Sequence, residues 1–394
     1  MRIVVVEPDG AGGLAHYAHQ LCTGLAAAGA DVTLITGREH ELAGLERVFR
    51  VEPILRLWSA VEPPPRNGWV RMGRRLRRIP RAVRYAWEWR RLTRRILELK
   101  PDIAQFSQIR FPFQVVFLRR LRKNGIRLAQ ICHEFEPRER STPVRRLTRT
   151  TLGAVHREFD LIALHGQVNR EAFTASFPGL EERTFTIAHG DEAMLAADGD
   201  GCDLRSEYGI DEGLPVVLFF GGIRPSKGVE DLIDAFADVL TEVDAHLLVV
   251  GLPVGVDPDS LRRRAQGQGI RHRFTLDARY VPLGEVGQVF RTATVVALPY
   301  RSATASGVLQ AAYANARPVV VTRLGALTED VIDGTTGLVV PPADRPALAR
   351  ALIKLVADSA EAHLMGCAGQ RLAGERFSWA PIAETLLDEY RKLR

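Results

Sequence analysis

Short apolar runs alternate with longer amphipathic stretches from the first residues of the chain onward. In the first half, the runs at Arg2–Glu7, Asp31–Thr36, Asp102–Gln105, Arg127–Cys132 and Leu161–Leu164 predict strands. Between them, 12–29, 78–99, 111–124, 142–158 and 168–176 predict helices. In the second half, strands are predicted at Val216–Phe220, His246–Val250, Phe274–Asp277, Val295–Ala297, Pro318–Thr322 and Gly337–Val339. The helices predicted there are 228–241, 258–268, 283–292, 306–316, 326–331 and 344–358. Strand and helix taking turns in this way predicts an α/β protein with parallel sheets wrapped by helices. A stretch rich in Gly, Asp and Ala at 190–213 separates the two series. The pattern therefore predicts two doubly wound domains, 1–190 and 205–372, with 373–394 as a closing segment. Ligands of such sheets bind at the carboxyl ends of the strands.

Composition narrows the class. The 394 residues are 46% hydrophobic and 25% charged, which fits a globular protein of two ordinary domains. No apolar run approaches the roughly 20 residues that span a bilayer, and no signal-peptide stretch opens the chain, so a cytoplasmic protein is expected. Cys22, Cys132, Cys202 and Cys367 are scattered without Cys-x-x-Cys or Cys/His ligand spacing; neither a disulfide framework nor a metal site is expected.

The net charge of +6 hides an asymmetry. Residues 1–190 hold 32 Lys+Arg against 19 Asp+Glu, and the remainder 21 against 28. Twelve arginines fall in 66–95 among Trp69, Tyr85, Trp87 and Trp89, and more follow from Arg138 to Arg149. Basic segments with interleaved aromatics suit an anionic membrane surface, which would make the protein peripheral on the inner face of the membrane. A solvated helical face is the plain alternative. Nucleic acid is not an expected partner, because no nucleic-acid-binding motif accompanies the charge.

Candidate chemistry concentrates after the strand Val216–Phe220. The run Phe220-Gly221-Gly222-Ile-Arg224-Pro-Ser-Lys227-Gly228 is a glycine turn carrying two cations at a strand end, which suits a diphosphate. About 80 residues on, Pro299-Tyr-Arg-Ser-Ala-Thr-Ala-Ser306-Gly307-Val308-Leu offers backbone amides at a helix start. In the first domain, Gly12-Gly13 with His16 makes a strand-to-helix turn, which packing alone also requires. His133 follows a strand and precedes Glu134 and Glu136; His165 and His189 also follow strands and are read as structural.

Taken with Ile187-Ala-His-Gly, Gly334-Thr-Thr-Gly and Phe377-Ser-Trp, these segments resemble the retaining, nucleotide-sugar-dependent glycosyltransferases of family 4 (glycosyl transferases group 1). The resemblance implies a GT-B fold, two Rossmann-like domains facing across a cleft, with the last helix crossing back to the first. It implies a nucleoside-diphosphate sugar as donor, no cofactor or metal, and a hydroxyl of a saccharide, glycolipid or natural product as acceptor. Arg224 and Lys227 would stabilise the leaving diphosphate. Gly13, Gly222, Ser306, Gly307, Val308 and Glu329 would hold the donor. His133 would stand beside the reacting centre, with His16 and Glu134 on the acceptor side.

One departure is plain. Relatives carry two glutamates eight positions apart in the loop and helix around Ser306, where this chain has Ala303 and Ala311. Ser302, Thr304, Gln310 or Glu329 would then replace their hydrogen bonds, or the donor site is lost and the protein is a noncatalytic partner.

Overall fold

A computed structural model describes residues 1–56, 78–107, 109, 111–135, 151–196 and 204–393. The chain divides into two compact units, Met1–Gly190 with Trp379–Arg394, and Asp191–Ser378.

In unit 1, strands β1 (Arg2–Val6), β2 (Asp31–Gly37), β3 (Arg50–Leu55), β4 (Ile103–Phe106), β5 (Arg127–Ile131), β6 (Leu161–His165) and β7 (Thr184–Ile187) form one sheet. Its order is β3-β2-β1-β4-β5-β6-β7, every pairing parallel. The order reverses at β1, the switch point where such sheets bind ligands. Helices α1 (Gly13–Ala27), α2 (Arg78–Leu99), α3 (Gln114–Lys123) and α4 (Gln167–Ser176) supply the crossovers. Their apolar faces build one core around Trp89, Phe106, Leu118, Phe159 and Phe173, and another around Ile3, Val5, Tyr17, Leu21 and Leu25.

The two strands that the apolar pattern does not predict, β3 and β7, are the edges of this sheet. An edge strand buries less: β3 alternates partly exposed residues around Pro53, tolerated where a ladder ends, and β7 buries two of its four positions. Of the predicted helix 142–158, residues 151–156 are helical, 157 and 158 form a turn, and 142–150 fall outside the described residues.

The Arg-rich segment also divides. Trp69 and Arg138 to Arg149 lie outside the described residues. In α2, Trp89 is core and stacks on Phe106, while Tyr85 packs on Phe111 and Phe113. Trp87 is 56% exposed and lies under the Arg91 guanidinium at 5.1 Å. Two of the described aromatics thus serve packing rather than an outer surface.

Unit 2 repeats the design with β8 (Val216–Phe220), β9 (His246–Val250), β10 (Phe274–Asp277), β11 (Val295–Leu298), β12 (Val319–Thr322) and β13 (Gly337–Val340). The order is β10-β9-β8-β11-β12-β13, again parallel, with the reversal at β8. Strands β8, β9, β11 and β12 are apolar almost without interruption, as strands covered on both faces must be. Around them stand α5 (Arg205–Tyr208), α6 (Val229–Glu242), α7 (Pro258–Gly267), α8 (Leu283–Thr292), α9 (Gly307–Ala314), α10 (Leu327–Asp330), α11 (Arg345–Ala357) and α12 (Ser359–Arg376).

The apolar pattern assigns 373–376 to the closing segment, but α12 runs through Arg376 and ends on Phe377, fully buried in unit 2. Asp191 N–H donates to the Phe377 carbonyl at 2.7 Å, which pins the start of unit 2 to its end. The last helix, α13 (Trp379–Arg391), belongs to unit 1. Its Ile382, Ala383, Leu386, Leu387 and Tyr390 join the core beneath α1.

Candidate functional site

The turn after β8 is held from two sides. Ile223 N–H donates to the Leu252 carbonyl at 2.9 Å and Val254 N–H to the Ile223 carbonyl at 2.8 Å, which tie it to the segment after β9. Gly251 must be glycine there, because a Cβ would fall 1.8 Å from the Gly221 carbonyl oxygen. On the other side, the Ser226 carbonyl accepts from the N–H groups of Arg301 (2.8 Å) and Ser302 (3.3 Å). Gly228, at φ 68°, would place a Cβ 1.9 Å from the Pro299 carbonyl oxygen. A one-turn 3-10 helix, Pro225–Lys227, fits between, and α6 starts at Val229 rather than at Gly228.

This arrangement brings Lys227, Ser306 and Val308 together. The Lys227 ammonium sits 3.6 Å from the centroid of the Tyr300 ring, an attraction worth about 0.5 to 2 kcal/mol. Tyr300 is fully buried and its hydroxyl lies 3.1 Å from Ser306 Oγ. Ser306 caps α9, its Oγ accepting from Leu309 N–H at 3.4 Å. A Cβ on Gly221 would meet Val308 at 3.3 Å, so the glycine turn lies against the first residues of α9. Arg224 is exposed on that turn beside the exposed Gly222, and Gly307 is half-buried in the first turn of α9. The N-terminus of α9, its oriented amides and the Lys227 charge therefore share one edge of the unit 2 sheet, an arrangement that attracts an anion.

Glu329 is half-buried on α10, where its carbonyl accepts from Arg376 at 2.6 Å. Its neighbour Asp330 is buried, and burial pushes its carboxyl up to about 7. Ala303 reaches α10 through its backbone: a Cβ on Gly325 would be 2.6 Å from the carbonyl oxygens of Ala303 and Thr304. Ala311 is 1% exposed. The adjacent Gln310 is fully buried and neither amide atom has a hydrogen-bond partner.

Sequence reasoning missed the frame under the turn. Arg301 makes paired bonds to Asp231 at 2.7 and 2.9 Å, and Arg345 bridges Asp231 (3.4 Å) and Asp234 (2.6 Å), which Arg264 also clasps. The Arg301 guanidinium holds the Asp231 carboxyl below the usual carboxylate range. Asp231 lies four residues after Lys227, yet nothing local marks its partners, which are 70 and 114 residues away.

In unit 1 the glycine turn before α1 carries no side-chain cap of its own. Glu41 takes that place, accepting from Gly12 N–H at 3.1 Å and lying 3.2 Å from His16 Nε2. Gly13 is exposed at the start of α1. Glu41 is a second residue the sequence does not single out, since it approaches from 29 positions away.

His133 meets His165 and His189 at the ends of β5, β6 and β7. His133 Nδ1 lies 3.1 Å from His165 Nε2, and Tyr17 packs edge-on against all three rings at 4.6, 5.6 and 5.4 Å. Burial pushes His133 down to about 3 and His189 to about 4, and holds His165 well below the ordinary range. At neutral pH these are uncharged imidazoles. Glu134 next to them is exposed, and Glu136 falls outside the described residues.

Two family models match the chain: residues 11–190 fit "Glycosyltransferase Family 4" and 214–358 fit "Glycosyl transferases group 1". Among curated proteins, a D-inositol 3-phosphate glycosyltransferase of Segniliparus rotundus is 30% identical over 61% of this chain and 54% of its own length. A GDP-mannose-dependent alpha-(1-6)-phosphatidylinositol monomannoside mannosyltransferase of Mycolicibacterium smegmatis is 30% identical over 61% of this chain and 65% of its own. The chain thus spans about half the length of the first of these relatives. Among solved structures, a sucrose-phosphate synthase of Thermosynechococcus elongatus superposes with a TM-score of 0.74 at 22% identity, covering 100% of this chain and 98% of that one. HepE of Anabaena in complex with UDP-glucose gives 0.74 at 19% identity over 100% of both chains. These likenesses show the two-Rossmann-domain GT-B fold.

Proposed function

Because the chain belongs to the group 1, family 4-like glycosyltransferases, we propose that it transfers a sugar from a nucleoside-diphosphate donor to an acceptor hydroxyl with retention of configuration. The observation that carries this reading is the Lys227 ammonium held over Tyr300, whose hydroxyl reaches the cap of α9. As the glycosidic bond breaks, charge grows on the departing diphosphate. Lys227 and Arg224 would act on that charge, and preorganised cations act most strongly on charge that appears only in the transition state. The amides of Ser306, Gly307 and Val308 would hold the distal phosphate. His133, neutral at pH 7, would orient the acceptor hydroxyl through a hydrogen bond rather than by charge. The departing phosphate would take the acceptor's proton, with the protein supplying position.

The donors named for the relatives differ: GDP-mannose for the mannosyltransferase and UDP-glucose in the HepE complex. The test is a thermal-shift panel with UDP, GDP, ADP, CDP and dTDP on the wild type, Arg224→Ala and Lys227→Ala. One nucleotide should raise the melting temperature, and either substitution should abolish the rise. A panel without any shift, from protein that melts cooperatively, favours the second reading, a noncatalytic partner. Its support is the absence of carboxylates at Ala303 and Ala311.

The acceptor we propose is a glycolipid or lipid-linked saccharide at the inner membrane face. The support is the arginine content of α2 with its exposed Trp87, and among the described residues no helix is long and apolar enough to cross a membrane. The protein should float with anionic liposomes at low salt and be released by salt; no flotation at low salt would leave a soluble acceptor.

A further inference from the structure

The three histidines above β5, β6 and β7 share a geometry that sugar transfer does not require. On three adjacent parallel strands of one sheet, His165 ends β6, while His133 and His189 lie two residues past the ends of β5 and β7. Each offers a ring nitrogen, and these nitrogens all lie within 4.8 Å of one another. We propose that His133, His165 and His189 form a binding site for one divalent transition-metal ion of the zinc class.

Three observations carry this. First, His133 Nδ1 and His165 Nε2 are 3.1 Å apart, close to the roughly 3.3 Å that separates two imidazole nitrogens on one tetrahedral ion at Zn–N distances of about 2.0 to 2.1 Å. Second, His189 donates its Nδ1–H to the Gly190 carbonyl at 3.3 Å. Such a bond makes Nε2 the nitrogen that carries the lone pair, as in metal-bound histidines oriented by a carbonyl. Third, the wall is aromatic: Tyr17 touches all three rings and Trp379 packs on Tyr17 at 4.9 Å. An all-imidazole set favours zinc, cobalt, nickel or copper over magnesium or calcium. Three protein ligands leave a fourth position for water.

Without the ion, one proton lies between His133 Nδ1 and His165 Nε2. Binding requires that proton to move to the other nitrogen of the ring that carries it, so that both lone pairs face the ion. Because 32 residues separate His133 from His165 and 24 more lead to His189, no local spacing reveals the set. The inference does not depend on the sugar-transfer reading.

The test uses chelator-treated full-length protein, titrated with Co²⁺ and then Zn²⁺. We expect one ion per chain, the intense visible absorption of four-coordinate cobalt, and its displacement by zinc. His165→Asn and His189→Asn should each weaken zinc binding by about a hundredfold or more. His156→Asn, which alters a buried histidine elsewhere in unit 1, should leave it unchanged. Less than one equivalent bound, weak octahedral cobalt absorption, or undiminished binding in both histidine variants would overturn the proposal. Should those variants fail to fold, X-ray absorption of the zinc-loaded wild type decides: three imidazole nitrogens support the site, and fewer refute it.

Discussion

The two units build the same sheet and use opposite electrostatics at its carboxyl edge. Unit 2 frames its turn with full charges, Asp231 and Asp234 clasped by Arg264, Arg301 and Arg345, and holds Lys227 on an aromatic face. Unit 1 places uncharged imidazoles in an aromatic nest. A charged frame tolerates acid until its carboxylates protonate. A nest of neutral histidines does not, because each of them binds a proton as soon as the chain unfolds.

Acidification should therefore separate the units, and this is the largest effect expected. His156 and His189 sit at about 4 in the folded state against 6.5 unfolded. Their contribution is present above pH 6.5 and lost as pH falls toward 4, about 3 kcal/mol for each at pH 4. That is comparable to a large share of a domain's stability. In unit 2, His246 behaves in the same way, but Asp330 opposes it. A carboxyl raised to about 7 is protonated in the folded state, so its contribution is present below the unfolded value and lost as pH rises through 7. Calorimetry from pH 7.5 to 4.5 should show the unit 1 transition falling well ahead of that of unit 2; parallel movement of both would erase the contrast.

Backbone contacts sharpen it next. Gly228→Ala meets the Pro299 carbonyl and a left-handed φ, and should cost unit 2 about 3 kcal/mol or more. Gly190→Ala also takes a positive φ, 91°, but it meets the side-chain ring of Trp379, at 2.3 Å, rather than backbone. It should cost unit 1 about 2 kcal/mol. Urea midpoints will rank them. Smaller still, Tyr300→Phe removes the hydroxyl that reaches Ser306 and should weaken nucleotide binding a few-fold, whereas Tyr300→Leu also removes the ring under Lys227 and should weaken it about tenfold. Isothermal titration with the nucleotide that shifts the wild type separates them. Smallest, Gln310→Met replaces a buried, unpartnered amide with an apolar chain of similar length, and should leave the urea midpoint unchanged or raise it by about 1 kcal/mol equivalent.

What could be read in the sequence followed the range over which each signal acts. The buried strands β8, β9, β11 and β12 are local apolar runs, and all four were predicted; the edges β3 and β7 bury too little to stand out. The Lys227 turn is local too. By contrast, Tyr300 under Lys227, Asp231 under Arg301 and Arg345, Glu41 on Gly12 and the meeting of three strand-end histidines arise only when distant segments are folded together. Trp89 in the Arg-rich segment shows the converse: its neighbours in sequence suggest a surface, while its helical face turns it into the core.

The return of α13 to unit 1 has a consequence for synthesis. Its Tyr390 hydroxyl donates to Gln105 of β4, deep in the first unit, yet all of unit 2 is translated between them. On the ribosome, unit 2 can complete its core while unit 1 still lacks the helix that covers α1. Until α13 emerges, Tyr17 lacks Trp379 and the α1 surface at Gly24 lacks Ala383, and a nascent chain stalled before Trp379 would offer that face to chaperones.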